Sequence, residues 1–183
     1  MSFVLVGCEA VDGVVQVLEA GGPAANPVRL FVGCTAVEIQ EVADAQGLRR
    51  LPRVYECFLA RMGKEAGGFL ARGDGSEYLY PDLLTMREIA DQILDQNGRP
   101  FTLDRSDVVI GQYLAQQFHF LDGRKGDPDD PPVWSYLESY VAPVQLIDRY
   151  SDLLLGLATE FTTGVPAFHG DYFADVPKLE GWK

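Results

Sequence analysis

Apolar residues in this chain change their spacing in blocks, and that succession of periods constrains the fold more than any other feature. Thr35 and Glu38 form a capping box, in which hydroxyl and carboxylate each satisfy an orphan backbone N–H, and Ile39, Val42 and Ala43 lay a helical stripe behind it over 36–46. Gly47 ends that helix. Leu51-Pro52 opens a second, in which Tyr55, Phe58, Leu59 and Met62 fall at i, i+3, i+4 and i+7 before Gly63 and Gly67-Gly68 stop it. Thr85 with Glu88 repeats the capping box ahead of Met86, Ile89, Ala90, Ile93 and Leu94, and that helix runs out at Asn97-Gly98. The period then falls to two. Strands are expected over 107–113, 116–121 and 133–138, with Gln117, His119 and Leu121 on one face of the middle strand and Phe118 and Phe120 on the other. Leu146, Tyr150, Leu153, Leu154, Leu157 and Phe161 return to helical spacing and mark a closing helix. Blocks of helices and blocks of strands, without βαβ alternation, predict an α+β single domain with an antiparallel sheet packed against helices.

The ends read differently. Short β-like runs at 3–7 and 14–18 flank Asp12-Gly13, a hairpin signal, and with 28–32 they predict an N-terminal β extension over 1–34. The main domain then spans 35–161, and 162–183 reads as a C-terminal tail rich in aromatic, Pro and Gly residues without period. Short strands are also expected at 69–71 and 77–80, around the turn residues Gly73-Asp74-Gly75.

A chain of 183 residues buries roughly 70% of its unfolded surface and needs neither disulfide nor metal to hold its core. Cys8, Cys34 and Cys57 are odd in number and far apart, which predicts three free thiols in a reducing cytoplasm. Residues 1–6 lack a basic flank, and no stretch reaches the ~18 apolar residues of a spanning helix, so neither export nor membrane insertion is expected. The net charge of −12 argues against a direct nucleic-acid partner, whose phosphates the summed field repels. Charge is also uneven. Residues 47–72 hold six basic and two acidic side chains, leaving −16 on the remainder, which serves either solubility or an acidic docking face.

Chemistry-bearing motifs are sparse. There is no Cys-x-x-Cys and no His pair, only His119 in an apolar strand, where a structural role is the commoner one, and His169 in the tail. Asp127, Asp129 and Glu138 match positions 1, 3 and 12 of a calcium loop, but Pro131 and Pro132 stand where a ligand and a glycine are required. Gly63 and Gly68 have phosphate-loop spacing without the Lys-Ser/Thr that follows it, and no Gly-x-Ser-x-Gly elbow exists. The expectation is a protein without catalysis, metal or cofactor.

The block from Val37 to Phe69 (a helix, Leu51-Pro52, Tyr55 and Phe58-Leu59, then Gly67-Gly68-Phe69) resembles the opening of the SUKH superfamily, the bacterial immunity domain that also includes the yeast cell-wall assembly regulator. Val108-Val109-Ile110-Gly111, Phe120-Leu121-Asp122-Gly123 and Pro132-Val133-Trp134 resemble that family's central strands, and 146–161 its closing helix. The spacer at 95–105 and the long acidic loop depart from the pattern. The resemblance implies an α+β immunity protein that neutralises a cognate toxin domain, often a nuclease or deaminase, by surface contact. A regulatory interaction domain of the same fold is the alternative. The contact face expected here places Trp134 and Tyr136, alternate residues on one strand, as aromatic anchors amid Asp127, Asp129, Asp130 and Glu138. On a strand, however, a Trp is more often core than contact.

Overall fold

The computed structural model describes residues 8–21, 31–70, 76–167 and 172–179. The expected strand at 3–7, the turn at Gly73-Asp74-Gly75 and His169 lie outside the described residues. Where the N-terminal segment is described, it corrects the expected β extension: Glu9–Ala20 is a helix, α1. Its buried residues Val11, Val14, Val15 and Leu18 stand at i, i+3, i+4 and i+7, and packing against two other helices satisfies that spacing more fully than a hairpin at Asp12-Gly13 could.

β1 (Phe31–Val32) leads into α2 (Ala36–Ala45), where the capping box forms as expected. Glu38 N–H donates to Thr35 Oγ1 at 3.3 Å, and Thr35 N–H donates to Glu38 Oε2 at 2.7 Å. α3 (Arg53–Met62) starts directly after Pro52 and buries Tyr55, Phe58, Leu59 and Met62. β2 (Glu65–Ala66) pairs antiparallel with β1, while 67–70 is a turn and not the start of a strand. β3 (Ser76–Glu77) is shorter than the 77–80 strand expected. A 3-10 helix at Asp82–Leu84 then precedes α4 (Met86–Gln96) and removes the second capping box. Thr85 has φ −111° and ψ −2°, not the extended backbone a cap needs, and its hydroxyl donates to Asp82 O instead.

The main sheet is an antiparallel meander in the order β3-β4-β5-β6-β7, with β4 at Val108–Tyr113, β5 at Gln117–Leu121, β6 at Val133–Leu137 and β7 at Val144–Ile147. Leu146 therefore belongs to a strand, and the closing helix α5 starts later, at Tyr150–Thr163. Phe118 pairs with Tyr136 and Phe120 with Trp134, so these four share a face, which Phe101 covers with ring contacts of 5.1–6.4 Å to Phe118, Phe120 and Tyr136. His119 and Ser135 share the opposite face. The fold is an α+β single domain with antiparallel sheets against helices. Among the described residues no helix is long and apolar enough to cross a membrane.

Two polar features fix this arrangement. Gln46, just past α2, donates from its amide to Val109 O (3.0 Å) and accepts from Val109 N–H (3.1 Å), closing β4 where its register with β5 shifts. Cys8 and Cys57 form a disulfide, which corrects the expectation of three free thiols. Packing of α1 on α3 brings their Cα atoms to 5.5 Å across a sequence separation of 49, a proximity that spacing along the chain does not reveal. Cys34 remains free and buried, and burial pushes its thiol up to about 12, so it is inert at neutral pH.

Candidate functional site

The acidic loop does structural work from inside. Asp127 is exposed, and its carboxylate accepts from Asp129 N–H at 2.9 Å, a local turn bond that sets the loop's shape. Asp129 pairs with Arg50 at 3.4 Å, both side chains more than half exposed, and its carbonyl accepts from Val54 N–H at the start of α3. Asp130 reaches the first turn of α5, accepting from both the N–H and the hydroxyl of Ser151. Pro131 O accepts from Tyr150 N–H beside it. The loop thus supplies acceptors to the N-termini of two helices, which have no intrahelical partners for their first N–H groups and favour negative charge. The loop's place at the surface is legible in sequence but its inward bonds are not, because their partners Val54, Tyr150 and Ser151 belong to helices distant along the chain.

The aromatic anchors divide. Tyr136 is 0% exposed and packs against Phe118 and Phe101, so it is core and cannot offer a contact face. Trp134 is half-buried, its ring lies 4.0 Å from Lys125 Nζ, and its indole nitrogen has no hydrogen-bond partner among the described residues. Glu138 follows β6, roughly 16 Å along the strand from the loop end at Val133, given about 3.3 Å per residue. The structure therefore groups Asp127, Asp129 and Asp130 near the start of β6 with Trp134, and sets Tyr136 and Glu138 apart.

A second charged cluster ties the start of the same loop to the segment ahead of β4. Arg124 stands 3.1 Å from Asp122 and 3.9 Å from Asp107, two carboxylates that are almost fully buried. Burial raises Asp107, whereas at Asp122 the opposing burial is outweighed by bonds from Arg124 and its carboxyl lies below the usual range. Among the described residues no three His, Cys, Asp or Glu side chains converge as metal ligands.

The opposite face of the sheet holds a cavity of about 250 Å³, which sequence reading missed. Ile110 and His119 form its floor and Phe58 reaches it from α3. Leu146 of β7 and Tyr150, Leu153, Leu154 and Leu157 of α5 line its helix side, with Leu70, Tyr78 and Tyr172 around them. Tyr78 stacks on His119 with centroids 5.9 Å apart, and it fits there because Gly111, paired with His119 across the strands, has no Cβ to strike its ring. His119 Nδ1 is buried and has no hydrogen-bond partner among the described residues, and burial lowers the imidazole to about 4, so it is neutral at pH 7. The only hint in sequence was a histidine among apolar neighbours beside a leucine-rich helix.

A scan against protein-family models and a search of curated proteins each return no match to this chain.

Proposed function

We propose that the chain is an immunity protein of the SUKH type, which binds a cognate toxin domain and neutralises it by surface contact, without catalysis or cofactor. The observation that carries this reading is the order of elements: α2, then Leu51-Pro52 opening α3, then the β4-β5-β6 meander and α5, the order that the resemblance attaches to that superfamily. The charge of −12 supports a partner with a basic surface, such as a nuclease, and charge complementarity of this kind raises the association rate more than the affinity. Asp127 and Asp129 supply the outward charge, Trp134 the neighbouring apolar contact, and Asp130 holds the loop in place from behind. Tyr136 drops out of the contact face and Glu138 stands apart from it. The reading puts the protein in the cytoplasm of the toxin's producer. The Cys8–Cys57 bond, of a kind that persists in oxidising surroundings, counts against that placement.

The test is capture of the tagged protein from its host under toxin-expressing conditions, followed by co-expression with whatever toxin domain is recovered. Rescue of growth by the wild type, with association slowed about tenfold by the double substitution Asp127→Lys and Asp129→Lys, is expected. Absence of any toxin domain among the captured proteins, or failure to rescue growth, overturns the proposal in favour of a regulatory interaction domain.

A further inference from the structure

The cavity over His119 has the features of a ligand site and not of a packing gap. Side chains in a finished core interdigitate with few voids larger than a water molecule, yet here about 250 Å³ stays open between α5 and the sheet. Leu153 and Leu157 line it and stay only half-buried. His119 lines this cavity, and its buried Nδ1 has no hydrogen-bond partner among the described residues, an orphan of a kind that native structures seldom leave unexplained.

We propose that this cavity binds a small, neutral, mainly apolar molecule that carries one hydroxyl group, which hydrogen-bonds to His119. Three observations select that class. The lining carries no charged side chain among the described residues, so an anion or a cation would enter without a counter-charge. The imidazole is neutral at pH 7, so each of its ring nitrogens is either a donor or an acceptor, and a hydroxyl can partner either kind. The stack of Tyr78 on the imidazole fixes the ring plane, and hence the direction along which a hydroxyl must approach. The volume sets the size: a dry cavity of about 150 Å³ admits benzene, so this one admits a substituted single ring or a chain of similar bulk, with about ten non-hydrogen atoms. This site lies on the face of the sheet opposite Trp134 and shares no lining residue with the proposed toxin-contact surface.

The experiment is a calorimetric titration of the full chain with 4-propylphenol and with propylbenzene, which share a shape and differ in the hydroxyl. One phenol per chain is expected, bound about tenfold tighter than the hydrocarbon, as one well-made hydrogen bond provides. In His119→Leu the two probes should bind alike. In Leu157→Trp, where the larger side chain fills the space from a half-buried position, both should fail to bind while amide NMR spectra report an intact fold. Equal affinity for the two probes in the wild type, or binding that survives Leu157→Trp, overturns the proposal. So does the absence of binding in a wild-type sample whose spectra show it folded.

Discussion

His119 gives the sharpest energetic test, because it couples burial to protonation at one atom. An imidazole free in the unfolded chain titrates near 6.5, and in the folded protein burial lowers it to about 4. Between those values the unfolded chain binds the proton and the folded one does not, so stability is fully present above pH 6.5 and is lost as pH falls toward 4. At ~1.4 kcal/mol per pH unit the full interval is worth about 3 kcal/mol, of which about 2 kcal/mol is lost between pH 7 and pH 5. The perturbation is His119→Leu, which removes the titrating group, including an Nδ1 without a partner among the described residues, while keeping the cavity lining apolar. Urea denaturation of both proteins at pH 7, 6 and 5 isolates the effect, since the carboxylates are common to both. The variant should match or exceed the wild type at pH 7, and the wild type should then fall behind by about 2 kcal/mol more at pH 5. Parallel stability curves for the two proteins across that range would refute a neutral His119 imidazole at pH 7, and with it the pairing of that neutral ring with a ligand hydroxyl.

The inward bonds of the acidic loop predict that Asp130→Ala, which strips α5 of two hydrogen bonds through Ser151, lowers unfolding stability by about 1–2 kcal/mol. A double-mutant cycle with Ser151→Ala, which deletes the hydroxyl and leaves the backbone N–H, should show a coupling of about 0.5–1.5 kcal/mol for the hydroxyl bond, and strictly additive losses would refute that bond. Gln46→Leu leaves both Val109 N–H and Val109 O unpaired in the core and should cost about 2–4 kcal/mol in the same urea assay. A cost under ~0.5 kcal/mol would mean that β4 closes without the amide.

The elements legible in sequence were those whose instructions are local. The Thr35 capping box formed because donor and acceptor lie three residues apart and α2 follows at once. The alternation through 117–121 set the faces of β5, and register with β6 then paired Phe118 with Tyr136 and Phe120 with Trp134. Reading failed where two local solutions competed. Asp12-Gly13 is a turn signal, but burial of Val11, Val14, Val15 and Leu18 against neighbouring helices outweighs it, and one glycine inside a helix costs only about 1 kcal/mol. Thr85 carried the same cap pattern as Thr35, and the preceding 3-10 helix took its backbone out of the required conformation. Leu146 fits the apolar spacing of α5 and nevertheless lies in β7, since a short apolar run suits either period.

The sequence by itself determined the class of fold, the helical stripes of α2, α3 and α4, the two faces of β5 and the acidic balance of the surface, because each follows from side-chain periodicity or from charge, which summation along the chain preserves. Only the tertiary structure decided which polar groups met. It turned Asp130 onto Ser151, Gln46 onto Val109 and Cys8 onto Cys57, withdrew Tyr136 into the core, and left His119 at the floor of a cavity built from β4, β5, β7, α3 and α5. These are contacts between segments tens of residues apart, and their energies depend on burial and on atomic positions that no local spacing encodes.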